Sequence, residues 1–101
     1  MSTIIAKEKI IRHPYIEKKK GVCGGEPVIA GTRISVSLIA ELERTGHAAD
    51  EIVAMYPHIT HAQVYDALSY YYHHRGEIDR IIEENKEEYW MKKTKGEYWR
   101  K

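Results

Sequence analysis

Val22-Cys23-Gly24-Gly25-Glu26-Pro27-Val28-Ile29-Ala30-Gly31-Thr32-Arg33-Ile34-Ser35-Val36 is the stretch on which the reading of this chain turns. It holds three of the seven glycines and one of the three prolines. Glycine reaches backbone angles that other residues avoid, and proline fixes φ and removes a donor. Gly24-Gly25 therefore reads as a turn. Pro27-Val28-Ile29 reads as a short edge strand that opens on proline, a position where strands accept it. Gly31 reads as a bulge or second bend ahead of Ile34 and the first helix. A phosphate loop would need four residues between its glycines, then Lys, then Ser or Thr. Here Arg33 follows Thr32 and the gap from Gly25 is five residues, so the spacing argues against nucleotide binding.

Upstream, Ile4-Ile5 and Ile10-Ile11 give an N-terminal arm strand character, and His13-Pro14 marks a bend. A hairpin is expected between Tyr15–Lys19 and Pro27–Ala30, with residues 21–25 as its loop. Two strands alone are marginal, so the hairpin needs a surface to lie on, and a second copy of the chain is one candidate.

Downstream, the periodicity predicts helices. Val36 to Arg44 carries Val36, Ile39 and Leu42 at helical spacing, with Ser35 as cap and Gly46 at its end. Ala49 to Tyr56 follows, with Asp50 and Glu51 at its positive N-terminus and Pro57 after it. Thr60-His61-Ala62-Gln63 is a capping box, and Val64, Ala67, Leu68 and Tyr71 share the inner face of the helix it opens. That helix should end near His74, because Gly76 breaks it. A fourth helix from about Glu77 has Ile78, Ile81 and Ile82 along one edge. The expected fold is thus mostly α. An N-terminal β-hairpin precedes a homeodomain-like, helix-turn-helix three-helix core and a C-terminal fourth helix. The chain divides into an arm (1–20), the helical domain (21–85) and a charged aromatic tail (86–101).

The string Gly24-Gly25-Glu26-Pro27-Val28-Ile29, with Gly31-Thr32-Arg33-Ile34 after it, resembles the signature of the bacterial domain-of-unknown-function family 433. The resemblance continues through Tyr56-Pro57, Thr60, Val64, Ala67-Leu68 and Tyr70. It implies a small homeodomain-like helical protein, of a kind often encoded beside a PIN-like nuclease. It therefore implies an antitoxin that binds and silences such a toxin.

A chain of 101 residues with net charge +1 is one small domain. The small core makes a homodimer the expected state. The charge is uneven: residues 1–33 hold seven Lys/Arg against three Asp/Glu, residues 34–74 one against five, and residues 75–101 eight against seven. The single cysteine, Cys23, permits no internal disulfide, which fits a reducing compartment. With no signal peptide and no apolar run long enough for a membrane, a cytoplasmic protein is expected.

DNA binding would need cations facing phosphates. Lys18, Lys19, Lys20 and Arg33 are the candidates, while His61 and Gln63 are the candidates for base contacts. Between His61 and His74 there is no Lys or Arg, and Asp66 sits in the middle of the outward face, so weak affinity carried by the arm is expected. Arg33 itself is expected to bond to backbone carbonyls or to an acidic side chain. The tail repeats Glu88-Tyr89-Trp90 as Glu97-Tyr98-Trp99, and Tyr89, Trp90, Tyr98 and Trp99 are the candidate anchors for a protein partner. One cysteine and scattered histidines do not make a zinc site, so neither metal nor cofactor is expected. No nucleophile has an evident base, so no enzyme is expected. The alternatives to an antitoxin are a helix-turn-helix regulator without a toxin and a non-catalytic dimeric structural module.

Overall fold

A computed structural model describes residues 12–86. Two strands, β1 (Ile16–Lys18) and β2 (Pro27–Ile29), pair antiparallel with Ile16 opposite Ile29, Glu17 opposite Val28 and Lys18 opposite Pro27. Three helices follow: α1 (Val36–Arg44), α2 (Ala49–Met55) and α3 (His61–His73). A fourth, α4, spans residues 75–86. The fold is mostly helical, a hairpin set on a three-helix core with α4 behind it.

The expected bend at His13-Pro14 is a turn in which Ile16 N–H donates to the His13 carbonyl at 3.0 Å. Between the strands, Cys23–Gly25 form a tight turn with φ of 48°, 66° and 86°. Glycine accepts this at little cost; Cys23 does so against a penalty of about 1 kcal/mol. Gly31 (φ 78°) and Gly46 (φ 98°) also lie in the left-handed region, where the chain has to bend around β2 and leave α1.

β2 is an edge strand of a two-stranded sheet, as expected, and it is also covered: Pro27, Val28 and Ile29 are all buried. The chain's own α1 and α3 supply a surface for the hairpin. Ile29 joins Val36, Ile39, Ile52, Val64, Ala67, Tyr71, Ile78 and Ile82 in one core. Full burial of such a side chain contributes roughly 1.5–3 kcal/mol, so β2 anchors the hairpin firmly.

The helix caps fall where the residues place them. Ser35 Oγ accepts from Leu38 N–H at 3.1 Å. Thr60 and Gln63 close the capping box reciprocally, with Thr60 N–H to Gln63 Oε1 at 2.7 Å. Glu51 reaches back to Ala48 N–H at 2.9 Å. One expectation fails. Gly76 does not break α3; it lies inside the first turn of α4. The break is at His74 (φ −133°, ψ 45°), which closes α3 by donating to Tyr70 and Tyr71 carbonyls and opens α4 by accepting from Ile78 N–H. A glycine near the start of a helix costs little there, so it marks no boundary.

Candidate functional site

Among the described residues, two surfaces and one polar cluster hold the side chains of interest. The first surface is the loop from Ile29 to Ile34. The amides of Ile29, Ala30, Gly31, Thr32 and Ile34 are all hydrogen-bonded. Thr32 N–H and Thr32 Oγ1 both donate to the Ile29 carbonyl, at 3.0 and 2.8 Å, and Thr32 Oγ1 accepts from Ile34 N–H at 2.9 Å. Gly31 N–H donates to Glu17 Oε2 at 3.1 Å, and Ile29 N–H to the Ile34 carbonyl at 2.9 Å. Cys23 Sγ donates to the Arg33 carbonyl at 3.2 Å. Glu26 ties the same region to α1 by accepting from the buried Ser37 hydroxyl at 2.7 Å. This fixed loop presents the Arg33 side chain to solvent. The expectation that Arg33 would bond internally fails: among the described residues its guanidinium has no hydrogen-bond or ion-pair partner. Thr32 does the work assigned to it. Arg33 and Lys19 line one groove of about 270 Å³, with Glu17, Val22, Gly31 and Thr32.

The other cationic candidates do not gather there. Lys18 Nζ lies 2.9 Å from Glu77 Oε2, across to α4. Lys20 is exposed in the hairpin loop and does not line the groove. His61 and Gln63 sit at the start of α3 and are engaged within the protein: His61 Nε2 lies 2.6 Å from Asp50 Oδ1, and Gln63 is the cap described above. The tail anchors Tyr89, Trp90, Tyr98 and Trp99 lie outside the described residues.

The second surface is the outward side of α3. It carries Ala62, Tyr65, Tyr72 and His73, with Tyr65 at 59% and Tyr72 at 53% exposure. The Tyr72 hydroxyl donates to Glu43 at 2.7 Å, a bond that holds its proton and raises its pKa. Tyr65 has no such tie among the described residues.

Asp66 is not the free surface charge that its mid-helix position suggested. Its carboxylate accepts Tyr15 N–H at 2.8 Å and lies 3.2 Å from His13 Nδ1, so it pins the turn before β1 to α3. Both side chains are largely enclosed, and the His13 ring packs against the rings of Tyr70, His73 and His74, at 5.1, 5.3 and 6.1 Å. Beside it, Glu77 accepts from both Lys18 and the Tyr70 hydroxyl. Burial pushes the Glu77 carboxyl up, but these two hydrogen bonds outweigh it and hold its pKa below the usual value. The same hydrogen bond to Glu77 raises Lys18, and burial raises Tyr70. Sequence reading missed this cluster; the available signal was an aspartate at the centre of an otherwise uncharged helix. Among the described residues no group of three or more His, Cys, Asp or Glu is placed to hold a metal ion, and no helix is long and apolar enough to cross a membrane.

The family described as "Protein of unknown function (DUF433)" matches residues 16–71. A crystal structure of a DUF433 member protein from Anabaena variabilis superposes with a TM-score of 0.65 at 31% identity, covering 80% of this chain and 79% of that one. No curated protein matches the chain. The chain belongs to the DUF433 family.

Proposed function

From this membership and the character of α3 we propose that the protein is a non-catalytic, antitoxin-like binding module. In this reading it acts in the cytoplasm as a homodimer and silences a PIN-like nuclease. The observation that carries the protein-binding half is the outward side of α3. A recognition helix for DNA needs cations beside the groove and free side chains for base edges. Here there is no Lys or Arg from His61 to His74, His61 and Gln63 are engaged, and the most exposed large side chain is Tyr65. The Arg75 guanidinium lies 5.8 Å from the Tyr72 ring at the far end of this face, leaving Tyr65 on a stretch whose helix bears no Lys or Arg. Exposed tyrosine there suits a protein partner, where aromatic anchors dominate the energetics. The nuclease half rests on the family resemblance. Tyr89, Trp90, Tyr98 and Trp99 would add a second set of anchors, and Lys18, Lys19, Lys20 and Arg33 would give at most weak autoregulatory DNA binding.

The test is capture and inhibition of a PIN-like nuclease sought in the neighbouring reading frames. The wild-type chain should do both. Tyr65→Glu should weaken capture by at least about tenfold, the loss of one aromatic anchor, without changing the urea midpoint. No inhibition by the wild type, or full inhibition by Tyr65→Glu, would overturn the reading.

A further inference from the structure

We propose that Arg33 and Lys19 form a preorganised receptor for a carboxylate on an acidic segment of the protein partner. The proposal rests on the protein-partner reading above and adds the partner's chemistry and a second contact point. The loop from Ile29 to Ile34 is held by hydrogen bonds from Thr32, Gly31, Cys23 and the Ile29 amide, so the backbone under Arg33 has little freedom left. All of that ordering presents one side chain, and among the described residues that side chain has nothing to bind. A surface arginine on a mobile loop would lose much of its binding energy to the cost of ordering the loop; here folding has already met that cost.

The shape and charge of the groove select the ligand. Arginine offers a planar fork that meets a carboxylate with two parallel hydrogen bonds, and Lys19 adds a point charge on the same groove. Glu17, the one carboxylate in the wall, is turned to the Gly31 amide. At about 270 Å³ the groove has room for one or two acidic side chains. A nucleic-acid backbone needs several cations in register with successive phosphates. Among the described residues the groove itself offers only Arg33 and Lys19, since the neighbouring Lys18 is committed to Glu77 and Lys20 does not line it. A single carboxylate needs only the fork.

The experiment is an amide chemical-shift titration of the full-length chain with two probes, a blocked hexaglutamate peptide and a short random-sequence DNA duplex. The peptide should move the amides of Lys19, Gly31, Thr32 and Arg33. Arg33→Ala should abolish those shifts, and Arg33→Lys should weaken binding about tenfold, the worth of replacing a bidentate charged pair by a point charge. Lys19→Ala should weaken it less. All three variants should keep the wild-type urea midpoint, because neither side chain has a partner within the described fold. The proposal is overturned if the peptide leaves these amides unmoved, if DNA moves them at lower concentration than the peptide does, or if Arg33→Lys binds as well as wild type. A drop in urea midpoint for Arg33→Ala would overturn it too, by showing a structural role. Capture of the nuclease by wild type and its loss in Tyr65→Glu would stand whatever the peptide does, so the two readings fail separately.

Discussion

The loop between β2 and α1 and the contact between β1 and α3 both bury polar groups, but they satisfy them in different ways. In the loop the partners lie within the loop or on the hairpin it continues: Thr32 bonds to Ile29 and Ile34, Ser35 to Leu38, Gly31 to Glu17 and Cys23 to Arg33. At the β1–α3 contact the partners are remote. His13 and Tyr15 reach Asp66, 53 and 51 residues away, and Lys18 reaches Glu77. The first region rests on an apolar floor, with Val28 and Ile29 fully buried. The second rests on charges and leaves His13 Nε2 buried with no partner among the described residues. A local network survives small shifts of the fold. A remote one holds only while the fold brings its two halves together, so it should open first.

The largest effect that bears on this contrast comes from removing the floor of the loop. Ile29→Ala deletes a fully buried core side chain and should cost about 2–5 kcal/mol, read as a lower urea midpoint with an unchanged slope. A loss below about 1 kcal/mol would mean that β2 behaves as a surface strand, and the contrast would collapse.

A smaller loss is expected from Asp66→Ala. It strips the acceptor from Tyr15 N–H and the partner from His13 Nδ1, in a pocket where the other His13 nitrogen has no partner among the described residues. Leaving such groups unmet should cost about 1–3 kcal/mol. Hydrogen exchange makes the comparison sharper. The Tyr15 and Ile16 amides should exchange faster in this variant, while Ile34, held by Thr32, should keep its protection. Equal acceleration at all three would show that the two regions open together.

The same contrast decides what was legible in the sequence. The bounds of α1 and the start of α3 follow from caps made within four residues, by Ser35 and by Thr60 with Gln63. The bends at Gly31 and Gly46 follow from glycine's freedom at positive φ. The family signature was legible for a related reason, since its residues build one local loop. The roles of Asp66 and Glu77 were not, because no local rule links an aspartate in α3 to a histidine before β1. Arg33 was misread for the opposite reason. In a loop so densely hydrogen-bonded, an internal bond for the arginine was the natural expectation, yet Thr32 meets the Ile29 carbonyl and Glu17 the Gly31 amide. Burial of β2 was half visible: the run Val28-Ile29 marked it as apolar, but not that α1 and α3 would cover it.

The smallest predicted effect tests whether the remote charges act as charges. Glu77→Gln keeps an acceptor for the Tyr70 hydroxyl and removes the charge that faces Lys18. Because Lys18 is more than half exposed, solvent screens the pair, and the cost at neutral pH should stay below about 1 kcal/mol. Its sign with pH follows from the shifts. The folded Glu77 pKa lies below its ordinary value, so the unfolded chain takes up the proton first as pH falls. The stability supplied by the charge is therefore present above the ordinary carboxylate value and disappears as pH drops through the lower folded one. Lys18 and Tyr70 are raised, so their contribution is present below their ordinary values and fades as pH climbs through the higher folded ones. The difference between wild type and Glu77→Gln should thus be flat around neutrality and close at both the acid and the alkaline ends. Urea melts at a series of pH values check this. A difference that stays constant into acid would mean that Glu77 acts only through its shape and its hydrogen bond to Tyr70, and the β1–α3–α4 contact would then be a polar seam rather than a charged one.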